Sequence, residues 1–355
     1  MRRFHEGEVD FYAPEGDATK KLSVFYNPVM TFDRDLTVAM LRAHGGRSYC
    51  DALAGSGVRG MRAAKEAGFK DLFFNDSSEE AAALIETNLK GSGVAGSVSC
   101  EDVNLFLRRF RCDKFDVIDI DPFGSFIVAL DSALRAIKRK NGLLCLTATD
   151  TAPLCGVSIK TCQRRYDARP IRTSYAKEIG LRILIGACAR MVAKYEFALR
   201  PFFCYNHRHY FRLFLATENG MKKADDMLAQ VSYVQHCFKC DWRRYAKVDR
   251  LEDKCPKCGA KLDWAGPLWA GRFSNFTAWE KPPTASQEVL DLLELVAGEQ
   301  DIATPFYDLH HLSKMRRVPC PPKRDVMEKL RKAGHNAAET HFAKTGIRSD
   351  ALPDF

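Results

Sequence analysis

Short apolar runs alternate with amphipathic segments along roughly the first 150 residues of the chain. The apolar runs are rich in β-branched and aromatic residues, which predicts buried strands at 49–53, 72–75, 98–102, 115–120 and 142–150. The segments between them predict helices at 33–44, 61–67, 78–89 and 127–138. Strands that alternate with helices in this way predict a doubly wound α/β domain with a parallel sheet.

The first predicted strand runs directly into the glycine-rich segment 55–60, which contains Gly55 and Gly57 and precedes a predicted helix. In that setting, glycines let a ligand approach the backbone at a helix N-terminus. This fingerprint alone does not distinguish a dinucleotide from S-adenosylmethionine. Asp51, at the end of the strand, favours S-adenosylmethionine because a carboxylate there attracts an ammonium group and repels a diphosphate.

Two further acids follow the second and third predicted strands. Asp76 lies nineteen residues after Gly57, where an acid is placed to bind ribose hydroxyls. Asp102 is placed to accept a hydrogen bond from an adenine amino group. The alternative for Asp102 is a helix N-cap.

The fourth predicted strand ends in Asp121-Pro122-Phe123-Gly124. Ligands of open α/β sheets lie outside the carboxyl ends of the strands, so Asp121 is expected to face a ligand crevice. Asp121 supplies a proton acceptor, Pro122 a carbonyl without a competing N–H, and Phe123 a ring for stacking. This combination suits chemistry on the exocyclic amine of a nucleobase. The alternative is that Asp121 caps the following helix, with Pro122 in its first turn.

Four of the thirteen cysteines form two C-x₂-C pairs, Cys237 with Cys240 and Cys255 with Cys258. Two such pairs at this separation predict a zinc ribbon at about 232–262, in which four thiolates close the tetrahedron and make the metal structural. A redox pair or a disulfide is the alternative, and His236 is a less favoured substitute ligand. The other cysteines show no pairing pattern, which indicates a reduced, cytoplasmic protein.

The net charge of +9 is concentrated in two segments. Residues 157–212 carry twelve Lys and Arg against three acids, and residues 311–348 carry ten against three. Two separate basic segments favour a polyanion such as nucleic acid over solvated helix faces. No apolar run approaches the length of a membrane span, and no obligate protein partner is evident.

Beyond the zinc ribbon, residues 281–284 predict a linker, and helices are expected at 286–298, 308–315 and 322–334. Short helices with a basic final segment indicate an α+β, winged-helix-like module. We therefore expect two domains, an α/β domain over 1–275 with the zinc ribbon inserted and a smaller C-terminal domain over 276–355.

Motifs spread over nearly the whole chain resemble the tRNA (guanine-26) N2-methyltransferase family, and they occur in the family's order. The most specific are Asp-Pro-Phe-Gly at 121–124 and Thr-Asp-Thr-Ala-Pro-Leu-Cys-Gly at 149–156. The others are Phe25-Tyr26-Asn27-Pro28, Arg34-Asp35, the segment 51–60, Asn75-Asp76, Gly266-Pro267-Leu268-Trp269 and His341-Phe342. The zinc-ribbon cysteines occur in only part of this family.

The resemblance implies a class I, Rossmann-like methyltransferase fold that binds S-adenosylmethionine and acts on tRNA. It implies that the domain over 1–275 is the methyltransferase domain and that the domain over 276–355 is a C-terminal tRNA-binding domain. It implies that Arg34 and Arg59 hold the methionine end of the cofactor, Asp76 the ribose and Asp102 the adenine. Asp121 would be the catalytic acceptor, with Pro122 beside it, and Phe25 and Phe123 would sandwich the guanine.

Three alternatives remain at this stage: a nicotinamide-dependent oxidoreductase, an amino-methyltransferase acting on another RNA, and a non-catalytic zinc-ribbon RNA-binding protein. The residues do not tell whether one or two methyl groups are added, or whether guanine 27 is also a target.

Overall fold

The structure is a computed structural model that describes residues 1–15, 23–276 and 285–355. The predicted linker at 281–284 lies outside the described residues. The strands are β1 Arg2–Glu6, β2 Val9–Ala13, β3 Ser48–Asp51, β4 Asp71–Asp76, β5 Ser97–Cys100, β6 Val117–Ile120, β7 Leu143–Ala148, β8 Phe197–His207, β9 Tyr210–Asn219, β10 Val231–His236, β11 Arg243–Ala246, β12 Asp263–Trp269, β13 Tyr307–Asp308, β14 Ala337–Glu339 and β15 Gly346–Ser349. The helices are α1 Thr31–His44, α2 Val58–Ala67, α3 Glu79–Ser92, α4 Val103–Arg108, α5 Ile127–Ala136, α6 Thr151–Leu154, α7 Ile159–Tyr166, α8 Ala176–Ala193, α9 Met221–Leu228, α10 Gln287–Glu299, α11 Leu309–Arg316 and α12 Lys323–Lys332.

The chain forms two compact units. The first comprises residues 1–148, 214–219 and 276–291, and the second comprises 149–213, 220–275 and 292–355. The expected boundary between residues 275 and 276 adjoins the undescribed segment and stays a prediction.

The first unit contains the five predicted strands, which pair in parallel in the order β5-β4-β3-β6-β7. Every residue of β3, β6 and β7 is buried, as expected for central strands covered on both faces. Two more strands extend the sheet to the order β5-β4-β3-β6-β7-β9-β8. The predicted α/β fold with a parallel sheet is confirmed.

The second unit contains two smaller three-stranded sheets. One has the order β11-β10-β12 and carries the four cysteines of the predicted zinc ribbon, and the other has the order β13-β15-β14. Helices α10, α11 and α12 lie within about two residues of their predicted positions, so the C-terminal part has the predicted α+β composition. Among the described residues, no helix is long and apolar enough to cross a membrane.

Helix α8 lies within the first basic segment, 157–212, from which the sequence analysis inferred a surface for a polyanion. Most of its residues are buried, including Arg182, which donates hydrogen bonds to Glu178 and to backbone carbonyls. Arg348 of the second basic segment is also fully buried and pairs with Glu178 and Glu299 at 2.8 Å. Part of the positive charge therefore stabilises the interior and does not face a polyanion.

Candidate active site and zinc ribbon

Asp121 follows β6 directly, at the carboxyl end of the strand. Helix α5 begins only at Ile127, and its N-cap residue is Phe126, whose side chain makes no capping hydrogen bond. Asp121 is therefore not the cap of this helix, which removes the alternative that the sequence left open. Its Oδ2 accepts a hydrogen bond of 2.6 Å from Arg59, and its side chain is 24% exposed. The carboxylate is held in place and still reaches solvent.

Arg59 lies in the first turn of α2, and its side chain is 8% exposed. Its Nη1 donates to Asp33 Oδ2 at 2.8 Å and to Thr37 Oγ1 at 3.0 Å, and its Nε lies 3.9 Å from Asp119. Burial alone lowers the pKa of Arg59, but the carboxylates of Asp119, Asp33 and Asp121 raise it above its ordinary value. Arg59 is therefore a permanent cation that orients Asp121. Its expected contact with the methionine end of the cofactor stays a prediction.

Arg34 is also buried, and it forms a bidentate pair with Glu6 of β1. Its Nε and Nη2 donate to the two oxygens of Glu6 at 2.6 and 2.7 Å, and Arg62 donates to the same carboxylate at 2.8 Å. Burial alone raises the pKa of Glu6, but the hydrogen bonds and charges of Arg34 and Arg62 lower it to about 2. The cofactor contact of Arg34 stays a prediction, and the structure shows that Glu6 occupies one edge of its guanidinium group.

The glycine loop is shaped for close approach. Gly55 has φ +53°, and a Cβ added there would lie 2.9 Å from the carbonyl oxygen of Phe25. Gly57 has φ +78° and forms the N-cap of α2. The Gly55 N–H donates to Asp76 Oδ2 at 2.9 Å, so Asp76 braces the loop from the end of β4. The loop and Asp76 therefore meet, and the ribose contact of Asp76 stays a prediction.

Asp51 lies beside the same loop at the end of β3, and the Gly60 N–H donates to its Oδ2 at 3.2 Å. Burial raises its pKa to about 7, with further contributions from the charges of Asp119 and Asp121, while Arg59 lowers it. Asp51 therefore changes charge near neutral pH. Its role toward an ammonium group stays a prediction.

Asp102 forms the N-cap of α4, where its Oδ1 accepts hydrogen bonds from Asn104 N at 2.9 Å and Leu105 N at 3.2 Å. This is the alternative that the sequence offered, and an adenine contact by its other oxygen stays a prediction. Two buried acceptors nearby in the chain have no hydrogen-bond partner among the described residues, namely Asn75 Oδ1 and Glu101 Oε2. Asn75 is the penultimate residue of β4, directly before Asp76, and Glu101 directly follows β5, before Asp102. A nucleoside is expected at these strand ends. Sequence reasoning missed Glu101 because only its burial distinguishes it.

Phe25 and Phe123 contact each other. Their ring centroids are 4.8 Å apart at an interplanar angle of 83°, and Phe123 is 56% exposed. The structure thus brings together the two rings that the resemblance assigned to the guanine. A base stacked between them requires the rings to turn and separate by the thickness of a base, so the sandwich stays a prediction.

The four cysteines of the second unit meet in one cluster. The Sγ atoms of Cys237, Cys240, Cys255 and Cys258 all lie within 4.8 Å of one another. The Cys237 carbonyl accepts from Asp241 N, and the Cys255 carbonyl accepts from Gly259 N, both at 2.8 Å, which closes the two knuckles. Four convergent thiolates fit a structural zinc ion with no open coordination position.

His236 does not belong to this cluster. It is buried, its ring packs edge-on against Phe238, and its pKa is lowered to about 3 by burial and by the charges of Arg243 and His311. The preference for cysteine ligands over His236 is confirmed.

A glycine loop between strand and helix, with acids at the strand ends, defines an α/β enzyme site for a nucleoside-containing cofactor. Residues 7–355 match the model of the family described as N2,N2-dimethylguanosine tRNA methyltransferase. The chain belongs to this family.

Relatives and one solved structure agree with this assignment. The chain is 39% identical to the tRNA (guanine(26)-N(2))-dimethyltransferase of Methanothermobacter thermautotrophicus, over 99% of this chain and 96% of the relative. It is 35% identical to the tRNA (guanine(26)-N(2)/guanine(27)-N(2))-dimethyltransferase of Aquifex aeolicus, over 99% and 93%. The structure of Trm1 from Pyrococcus horikoshii with S-adenosyl-L-methionine superposes with a TM-score of 0.87 at 30% identity, over 99% and 97% of the two chains.

These findings confirm the predicted family and fold. The predicted methyltransferase activity, the S-adenosylmethionine cofactor and the tRNA substrate are those of the family. The comparisons give no support to an oxidoreductase or to a non-catalytic RNA-binding protein.

The zinc site predicts a loss of metal when one ligand is changed. Cys255→Ser should abolish binding of the single zinc ion and destabilise the segment around β10, β11 and β12, because metal binding supplies much of the folding energy of such small modules. Metal analysis of the purified protein measures the stoichiometry, with the exposed Cys100→Ser as the control. Full zinc content in Cys255→Ser would contradict the assignment.

The pKa of Asp51 predicts a pH-dependent affinity for S-adenosylmethionine. A carboxyl group with a pKa of about 7 is about one tenth ionised at pH 6 and about nine tenths at pH 8. If its carboxylate attracts the ammonium group, affinity should rise several-fold over this interval. Asp51→Asn should remove that rise, whereas the exposed Asp10→Asn should keep it. Calorimetric titration at several pH values measures the affinity of both variants for S-adenosylmethionine. A pH profile of Asp51→Asn that equals the wild-type profile would refute the role of Asp51.

Proposed function

We propose that this protein transfers methyl groups from S-adenosylmethionine to the exocyclic N2 of guanine 26 in tRNA, with Asp121 as the acceptor of the amine proton. The observation that carries the proposal is the position of Asp121, at the carboxyl end of β6, held by buried Arg59 and partly exposed. Family membership supplies the substrate class, and the residue roles below are part of the proposal.

Guanine N2 is a poor nucleophile because its lone pair is delocalised into the purine ring. Among the described contacts of Asp121, Arg59 uses Oδ2, which leaves Oδ1 to accept one N–H of the amine. The carbonyl of Pro122 would accept the other. Two acceptors localise the lone pair and aim it, and a positioned base contributes a rate factor of about 10²–10⁴.

Phe25 and Phe123 would hold the guanine by stacking on its two faces. Each aromatic contact to an unstacked base is worth about 1–3 kcal/mol. Because Phe123 follows Asp121 by two residues in the same turn, stacking and proton acceptance act on the base from one rigid segment.

The glycine loop and the acids around it fit S-adenosylmethionine, which supplies an electrophilic methyl group on a sulfonium when bound. Gly55 and Gly57 allow close approach, Asp76 and Asp102 would bind the ribose and the adenine, and Asp51 would attract the ammonium group. Arg34 and Arg59 would bind the methionine carboxylate with the N–H donors that their ion pairs do not use.

The same residues support a second transfer. After one methylation the amine keeps one N–H, which Asp121 can accept in turn. We therefore propose dimethylation, and a tRNA with guanine at position 27 as a second substrate to test, since the Aquifex aeolicus relative is named for both positions. The expected cytoplasmic location also stays a prediction.

The direct test is labelled methyl transfer to an unmodified tRNA transcript with guanine at position 26, beside a matched transcript with adenine there. The expected product is N2,N2-dimethylguanosine from the first transcript alone, identified after digestion to nucleosides. Label in both transcripts would place the target elsewhere. Label in neither, with cofactor binding intact, would contradict a tRNA guanine-26 activity.

A further inference from the structure

The two cysteine knuckles carry exposed side chains that the candidate active site does not use. Phe238 and Lys239 lie between Cys237 and Cys240, and Lys257 lies between Cys255 and Cys258. Because the four Sγ atoms lie within 4.8 Å of one another, these side chains surround one small cluster. Together with Lys254 and Lys261, which flank the second knuckle, we call them the knuckle tip.

Phe238 is an exposed aromatic side chain in a fixed position. It is 53% exposed, and its ring packs edge-on against buried His236 with centroids 4.6 Å apart at 87°. Cys237, directly before Phe238, and Cys240, two residues after it, both belong to the cysteine cluster and hold this segment of backbone. A large ring that is rigid and exposed serves as a stacking platform when a flat group approaches.

Two lysines of the knuckle tip lie opposite each other, where their like charges repel. Lys254 and Lys261 are paired across an antiparallel bridge, and the hydrogen bond from Cys255 N to Ala260 O, at 2.7 Å, keeps the pair in register. Like charges directly opposite each other destabilise a strand pair. Of the acids close by in the chain, Glu252 pairs with Arg244 at 2.6 Å. Asp263 pairs with Arg169 at 2.7 Å. Asp253, directly before Lys254, contributes one negative charge against the four lysines. None of the four lysines forms an ion pair with a described carboxylate.

The negative charge of the zinc site would compensate only part of the positive charge of these lysines. A zinc ion with four thiolates carries about two negative charges. Four lysines exceed that number, and all four are exposed. The knuckle tip therefore keeps an excess of positive charge, and it presents this charge beside an exposed aromatic ring. This combination suits a polyanion that also carries flat groups.

We propose that the knuckle tip binds tRNA, with its lysines on backbone phosphates and Phe238 stacked on an unpaired base. The inference rests on the proposed function for the identity of the RNA. Basic side chains beside an exposed aromatic ring form the combination that binds single-stranded nucleic acid with little sequence preference. The zinc ion then acts as the scaffold that positions this surface.

The test compares binding of full-length, zinc-loaded protein to an unmodified tRNA transcript over a range of salt concentrations. Phe238→Ala should weaken binding about fivefold to a hundredfold, and Phe238→Tyr should restore it. The double variant Lys254→Glu/Lys261→Glu should weaken binding more than about tenfold at low salt and reduce the salt slope by about 1–2. Exposed lysines of α2 and α3 provide the matched control, Lys65→Glu/Lys90→Glu, which should bind within about twofold of wild type.

Three further readouts distinguish the loss of a tRNA contact from the loss of zinc or of the cofactor site. Zinc content and S-adenosylmethionine affinity should be unchanged in every variant, and transfer should show a raised KM for tRNA at an unchanged kcat. A fully paired RNA duplex of equal length should bind wild type and Phe238→Ala equally. Wild-type tRNA affinity in both variants would overturn the proposal, as would lysine variants that lose zinc but not tRNA affinity. Because tRNA binding is measured without methyl transfer, the comparison tests the knuckle tip even if the protein does not methylate guanine 26.

Discussion

One buried cation, Arg59, holds the candidate active site together. Its guanidinium group joins Asp33 of α1, Asp119 of β6 and Asp121 at the end of that strand. Because α2 begins directly after the glycine loop, the loop that would cradle the cofactor also sets the position of Arg59. Removal of one partner from a buried ion pair costs about 3–5 kcal/mol, so this contact stabilises the fold as well as the carboxylate.

Around Arg59 the carboxylates outnumber the cation. Asp33, Asp119 and Asp51 are all buried, and Asp121 adds a further charge at the edge of the cluster. The raised pKa of Asp51 is a consequence of burial together with this excess. A site with surplus negative charge attracts a cationic cofactor and disfavours a diphosphate, which agrees with a methyl donor that carries a sulfonium and an ammonium group.

The features that the sequence predicted well are local ones. The strands, the glycine loop and the cysteine knuckles depend on residues a few positions apart, so spacing was sufficient to find them. The partners of the arginines are not local: Arg34 reaches Glu6 across 28 positions and Arg59 reaches Asp121 across 62. Charge counting failed because Arg182 and Arg348 are both buried. Arg348 pairs with acids of other elements, Glu178 and Glu299. Arg182 pairs with Glu178 of its own helix, and its burial is not visible in the charge count. The capping role of Asp102 depends on residues next to it in the chain, so the sequence offered it. A ligand contact depends on distant elements, so spacing does not reveal it.

The central claim is that Asp121 accepts the proton of the guanine amine, and the most direct measurement is single-turnover methyl transfer by Asp121→Asn. This variant keeps the shape of the side chain but removes its basicity. The account predicts a rate lower by about 10²–10⁴ with S-adenosylmethionine and tRNA affinities within about twofold of wild type, and a normal rate for the control Asp10→Asn. A wild-type rate in Asp121→Asn would contradict it, and so would a loss explained entirely by weaker cofactor binding.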